Sequence, residues 1–137
     1  MEKFTHKNVL VIDDTPIDCF LAEKIIRKNL FAENVLCISS AIEALSYLSY
    51  SLEKNTGKMP SLIFLDIHMP FMDGFEFLDR FSRFPWEEKS QCSIVILSSF
   101  AEDIERIKRY PFVHSHFRKP LSDEKLQELQ KIPAKIL

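Results

Sequence analysis

The sequence predicts an open α/β fold in which five parallel strands alternate with five helices. Short apolar segments recur along the chain, and each is followed by a stretch with helical periodicity that opens on a capping residue. Unbroken apolar runs are typical of strands that helices cover on both faces of a sheet, and right-handed crossovers place helices on both faces. The 137 residues correspond to a single domain, 1–137, with a core from about residue 7 to residue 132 and a short C-terminal tail.

The candidate strands are short and bounded by polar residues. Three of them are continuous apolar runs rich in β-branched residues, as expected for the interior of a parallel sheet. In chain order the candidates are Val9–Ile12, Val35–Ile38, Leu62–Leu65, Ile94–Leu97 and the less regular Val113–Phe117.

Helix starts are predicted where a Ser, Thr or Asp precedes an acidic residue by about three positions. Proline at the first position strengthens the first of these, and Pro85 and Pro133 are expected to end their helices. The long connection is predicted at Ser49–Pro60, which has turn composition. The predicted starts are Thr15 with Asp18, Ser40 with Glu43, Asp73 with Glu76, Ser99 with Glu102, and Ser122 with Asp123 and Glu124.

Composition excludes several classes of protein. A net charge of −2 with 46% hydrophobic residues gives no reason to expect nucleic acid or an anionic membrane as a partner. The only glycines, Gly57 and Gly74, cannot supply a dinucleotide-binding or P-loop motif. Three dispersed cysteines among apolar neighbours indicate buried thiols in a reducing compartment. No apolar run is long enough to cross a bilayer, and we expect a cytoplasmic protein.

Polar residues follow four of the five candidate strands. Asp13 and Asp14 follow the first strand, Asp66 the third, Ser98 the fourth and Lys119 the fifth. Ligands of open α/β sheets bind at the carboxyl ends of the strands. If the strand order is 2-1-3-4-5, these four ends are neighbours, and the end without reactive groups belongs to the edge strand.

Three carboxylates in one crevice require compensating positive charge. Lys119 supplies one charge, and Mg²⁺ suits the remainder because it binds carboxylates, water and phosphate oxygens. With a hydroxyl at Ser98, this set is suited to phosphoryl transfer onto a carboxylate. Taken singly, an acidic pair after a strand is often a turn or a cap, and a Lys-Pro pair is often exposed. Their joint occurrence favours a site.

The segments VLVIDDTP, LIFLDIHMPFMDGFEFL, VILSSF and FRKPLSDEKL resemble the motifs of response-regulator receiver domains of two-component signalling. The resemblance covers nearly the whole chain and is to a stand-alone receiver with no output domain. It implies a flavodoxin-like sheet of order 2-1-3-4-5. It also implies that a histidine kinase or histidine phosphotransfer protein phosphorylates Asp66.

The resemblance assigns further roles residue by residue. Asp13 and Asp14 match the pair that binds Mg²⁺ together with Asp66, and the backbone carbonyl of His68 matches a further ligand. Ser98 matches the hydroxyl residue that hydrogen-bonds the phosphoryl group. Lys119 matches the lysine that precedes a proline.

Three positions concern the switch and its lifetime. The family usually has Tyr or Phe where this chain has His116, and an imidazole there leads to the hypothesis of a pH-sensitive switch. Ser98 replaces the commoner Thr as the other switch residue. Phe100 lies where the family tunes water access to the acyl phosphate, so a bulky side chain is expected to slow its hydrolysis.

The predicted function is a phosphoacceptor switch, not an enzyme, with self-catalysed phosphotransfer and slow autodephosphorylation. The predicted readout is a protein contact on the face formed by helix 4, strand 5 and helix 5. One alternative is an aspartate-nucleophile phosphatase of the haloacid-dehalogenase type, which requires an Asp-x-Asp where this chain has Asp13 and Thr15. Another is an interaction module that works without phosphorylation; partner binding unaffected by Asp66→Asn would indicate it.

Overall fold

The protein's structure, a computed structural model, describes residues 3–85 and 92–131. They form one parallel sheet of five strands in the order β2-β1-β3-β4-β5, which confirms the predicted fold class. All five predicted strands are present, and only β3 has the predicted bounds. The strands are β1 (His6–Ile12), β2 (Ala32–Ile38), β3 (Leu62–Leu65), β4 (Ser93–Ser98) and β5 (Val113–Arg118).

Helices cover both faces of the sheet. They are α1 (Pro16–Lys28), α2 (Ala41–Glu53), α3 (Gly74–Phe81), α4 (Ile104–Ile107) and α5 (Asp123–Gln130). The described parts of the chain contain no helix with the length and apolar character needed to cross a membrane.

The alternation of side chains along the central strands divides the core into two layers. Leu10, Ile12, Ile63 and Leu65 pack with α2, α3 and α4 on one face. On the other face, side chains one position away along the same strands pack with α1 and α5; they include Val9, Val11, Leu62 and Phe64. Every residue of β3 is buried, which explains why its sequence is an uninterrupted apolar run.

Three of the predicted helix caps are present. The side chains of Ser40, Asp73 and Ser122 each accept a hydrogen bond from the backbone N–H three residues later. Thr15 occupies the N-cap position of α1, but its side chain makes no capping hydrogen bond.

The predicted start of the fourth helix at Ser99 is wrong. The helix begins after Asp103, whose carboxylate accepts a hydrogen bond from the N–H of Arg106. Glu102 is therefore not part of a cap, and its carboxylate bonds to Ser98. Glu102 accepts a hydrogen bond from the last residue of β4 instead of taking part in the helix cap.

The predicted connection at Ser49–Pro60 is wrong in its first part. The α2 helix continues to Glu53, because Leu48 and Ser51 extend its buried stripe. The α3 helix ends at Phe81, before Pro85, and Pro133 lies outside the described residues.

Gly74 allows the loop after β3 to turn back closely on itself. Its N–H donates to the carbonyl of Ile67 at 2.8 Å. A Cβ at this position would lie 2.7 Å from the Cα of Ile67 and 2.8 Å from the carbonyl oxygen of Asp66. This loop therefore requires glycine, and it carries Asp66 at its start.

Candidate functional site

The acidic residues that follow β1 and β3 lie side by side. Ile12 is in register with Leu65, and the N–H of Asp66 donates to the carbonyl of Ile12 at 3.0 Å. One carboxylate oxygen from each of Asp13, Asp14 and Asp66 lies within 4.8 Å of the others. Parallel pairing of the two strands thus brings together acids that are far apart in the sequence.

Backbone hydrogen bonds orient the two buried acids. One oxygen of Asp13 accepts from the N–H of Thr15 at 2.9 Å. The Oδ1 of Asp66 accepts from the N–H of His68 at 3.3 Å. In both residues this leaves Oδ2 directed toward Lys119.

Lys119 crosses from the end of β5 to the acidic cluster. Its Nζ lies 2.7 Å from Asp13, 2.9 Å from Asp18 and 3.5 Å from Asp66, with the side chain 13% exposed. Its backbone N–H donates to the carbonyl of Ser98 at 2.8 Å, and its peptide bond to Pro120 is cis.

The pKa values reflect this arrangement. Burial alone lowers the pKa of Lys119, but hydrogen bonds to Asp13 and Asp18 and the charge of Asp66 raise it well above its usual value. Burial raises the pKa of Asp66, Lys119 lowers it, Asp13 raises it again, and the net direction is upward. Burial is the largest of these effects, and the charge of the one ammonium does not outweigh it together with the charge of Asp13.

The donor set fits a divalent cation. Asp13, Asp14 and Asp66 offer only hard carboxylate oxygens, which suit Mg²⁺. The remaining negative charge of the cluster favours binding of a cation. The carbonyl of His68 stays a predicted ligand, in the loop that directly follows Asp66.

Ser98, Glu102 and His68 form a network beside the acidic cluster. The hydroxyl of Ser98 donates to Glu102 Oε2 at 2.6 Å. The same oxygen lies 2.7 Å from His68 Nε2. The N–H of Phe100 donates to the oxygen of Ser98 at 3.2 Å, so the network fixes the segment after β4 to the loop after β3.

The two remaining predicted residues lie at the edge of the site. The ring of Phe100 is 60% exposed and meets the ring of His68 edge-on, with centroids 5.0 Å apart. His116 lies on the exposed side of β5 and lines a cleft of about 550 Å³ with Ser98 and Phe117. The pH-sensitive switch stays a prediction.

Sequence reasoning missed two acids of the site, Asp18 and Glu102. It assigned both to helix starts, because each lies three residues after a Thr or Ser. Asp18 instead bonds to Lys119, and Glu102 bonds to Ser98 and His68. No local signal distinguished either acid from a residue of a helix start.

The arrangement defines a class of protein: a doubly wound α/β domain with a buried carboxylate, an ammonium, a hydroxyl and a candidate metal site at the carboxyl edge of its sheet. Residues 9–131 match the family model of the response regulator receiver domain. The chain belongs to this family, whose members act in two-component signalling.

Relatives agree with this assignment. A two component response regulator from Cytophaga hutchinsonii has a crystal structure with a TM-score of 0.83 and 30% identity, covering 92% of this chain and 95% of that one. Response regulator Rcp1 from Synechocystis is 22% identical over 104 residues, which are 76% of this chain and 69% of Rcp1.

A longer relative matches over only part of its length. Protein-glutamate methylesterase/protein-glutamine glutaminase 3 from Burkholderia thailandensis is 34% identical over 101 residues, or 74% of this chain. The match spans 25% of that relative.

Proposed function

We propose that this receiver domain takes a phosphoryl group from a phosphohistidine onto Asp66 in a Mg²⁺-dependent reaction and passes the signal on by protein contact. The donor is a histidine kinase or a histidine phosphotransfer protein. The observation that carries the proposal is the position of Asp66, which is buried, belongs to the candidate metal site and pairs with Lys119.

In the reaction, Asp66 Oδ2 forms a bond to phosphorus while the phosphorus–nitrogen bond of the donor histidine breaks. The donor nitrogen keeps the bonding electron pair and takes a proton from solvent. Lys119 favours the ionised, nucleophilic form of Asp66 and offsets charge on the phosphoryl oxygens. The hydroxyl of Ser98 is a hydrogen-bond donor for the same oxygens.

The metal would be held by Asp13, Asp14 and Asp66 with the carbonyl of His68. When bound, Mg²⁺ supplies positive charge that neutralises carboxylate and phosphoryl oxygens. Asp18 accepts a hydrogen bond from Lys119, and this bond positions the lysine ammonium beside the cluster.

The proposed readout is the face made by α4, β5 and α5. Ser98 lies at the end of β4, and the segment after it leads directly into α4. A change at Ser98 would therefore move α4 and the adjoining cleft, which Ile104 and His116 line. Cys19 and Cys37 are free thiols, which supports action in a reducing cytoplasm.

Incubation with acetyl phosphate and Mg²⁺, followed by intact-mass measurement, tests the proposal. We expect the chain to gain one phosphoryl group, and Asp66→Asn to gain none. Asp79→Asn, which changes an exposed aspartate on α3, is the matched control and should be modified like the unaltered chain. Modification that persists in Asp66→Asn, or that needs no divalent cation, would contradict the proposal.

A further inference from the structure

Glu102 joins the two loops that flank Asp66. Its Oε2 accepts the hydrogen bond of Ser98 at 2.6 Å and lies 2.7 Å from His68 Nε2. The Glu102 side chain is only 8% exposed, whereas that of His68 is 52% exposed. A carboxylate so little exposed is stabilised by these bonds, since burial of an unpaired carboxylate is costly.

The Ser98 hydroxyl has a single proton to donate. In this structure the proton goes to Glu102, and the oxygen accepts the N–H of Phe100. A phosphoryl group on Asp66 would need the same proton. The two acceptors therefore compete for Ser98.

Charge adds to this competition. A phosphoryl group brings additional negative charge to the site, close to the carboxylate of Glu102. Like charges in a partly buried site repel, so both the hydroxyl and the charge favour the release of Glu102 on phosphorylation. Because Glu102 lies two residues before α4, its release would free the start of that helix.

We propose that Glu102 is a positioning residue that holds Ser98 in the unphosphorylated arrangement and opposes phosphorylation of Asp66. This inference rests on the proposed function and adds a regulatory element to it. Glu102 acts through Ser98 and His68.

Beryllium fluoride, a mimic of the phosphoryl group on a carboxylate, gives an equilibrium test in saturating Mg²⁺, with binding followed by fluorine NMR. We expect Glu102→Ala to bind it about tenfold more tightly than the unaltered chain, since a hydrogen bond to a charged group contributes roughly 1.5 kcal/mol. Glu102→Gln, which keeps an acceptor but no charge, should give a smaller gain.

Glu105→Ala is the matched control. Glu105 has the same charge, lies three residues further on, is 84% exposed and pairs only with Lys108 among the described residues. We expect Glu105→Ala to change the affinity for beryllium fluoride by less than about twofold. The affinity for Mg²⁺, measured in parallel, should stay near that of the unaltered chain for both variants, because neither residue belongs to the acidic cluster.

The outcomes separate the two proposals. Equal tightening by Glu102→Ala and Glu105→Ala, or weaker binding by Glu102→Ala, overturns the role of Glu102 and leaves the proposed function intact. Both proposals are overturned if the unaltered chain does not bind beryllium fluoride. They are also overturned if Asp66→Asn binds it as well as the unaltered chain does.

Discussion

The ammonium group of Lys119 is shared among three carboxylates, and this sharing affects the chemistry of each residue in the site. Lys119 lies closer to Asp13 and Asp18 than to Asp66. Burial raises the pKa of Asp66, and the ion pair with Lys119 offsets this only in part. Phe100 and His68 lie in the segments after β4 and β3, and their rings meet edge-on; we predict that these rings shield an acyl phosphate on Asp66 from water.

Phe100→Ala should shorten the lifetime of phosphorylated Asp66 severalfold, because a methyl group shields the acyl phosphate from water less than an aromatic ring does. The measurement is the decay of the phosphorylated mass after removal of acetyl phosphate. Tyr50→Ala is the control, since Tyr50 is 59% exposed, much like Phe100 at 60%, but lies on α2. An unchanged or longer lifetime in Phe100→Ala would contradict the shielding role.

At the scale of elements, the strand ends and the loops that follow them are held by backbone contacts that leave little space. The turn back from Gly74 to Ile67 sets the path of the loop after β3, and the hydrogen bond of Lys119 to Ser98 holds the ends of β4 and β5 together. Substitutions at such contacts affect the site through the backbone.

Gly74→Ala should lower the free energy of unfolding by about 2 kcal/mol, because the new Cβ would overlap backbone atoms that cannot move independently. Urea denaturation measures this change. Gly57→Ala is the comparison: Gly57 has a φ of +76°, and a Cβ added there would have no atom within 4 Å, so we expect a loss of about 1 kcal/mol from backbone strain alone. A larger loss for Gly57→Ala would show that the close approach at Gly74 is not limiting.

His6 makes the stability of β1 depend on pH. It is buried, bonds to Ser61 at 2.6 Å and packs on Phe31, and burial lowers its pKa from 6.5 to about 4. As the pH falls below about 6.5, His6 binds a proton in the unfolded chain but not in the folded one. The free energy of unfolding therefore decreases progressively down to about pH 4.

The loss should reach at most about 3 kcal/mol, measured by urea denaturation across this pH range. His6→Gln should remove that part of the pH dependence. His114→Gln, at an exposed position of β5, should retain it. Identical pH profiles for the unaltered chain and His6→Gln would show that His6 does not titrate as expected.

At the scale of the whole molecule, the site exists only in the folded state. Its acids come from the ends of β1 and β3 and its lysine from the end of β5, and only the order of the strands brings them together. A cation that needs several of these acids binds the folded chain in preference to the unfolded one. Such binding must raise the free energy of unfolding.

Mg²⁺ at about 100 times its dissociation constant should stabilise the protein by about 2.7 kcal/mol, seen as a rise in the thermal midpoint of about 10 °C. Asp14→Asn should reduce this rise, because it removes one carboxylate of the cluster without touching an ion pair of Lys119. Asp79→Asn, which changes an exposed aspartate of α3 outside the cluster, should leave the rise unchanged. An equal rise in all three proteins would place the metal elsewhere.

The sequence by itself determined the fold class, the strands and the residues at the strand ends. Apolar runs such as Leu62–Leu65 identify buried strands, and capping residues such as Ser40 and Asp73 mark helix starts, because these signals are local.

Only the tertiary structure decided which side chains of the site bond to one another. Asp18 and Glu102 have the spacing of helix caps, and nothing local reveals that one bonds to Lys119 and the other to Ser98 and His68. The α4 helix starts late, at Ile104, after the cap that Asp103 provides. The physical reason is that a hydrogen bond between distant segments forms only where the packed strands bring its two groups together. A buried charged side chain must also pair with a polar group, and the fold decides which polar groups lie within its reach.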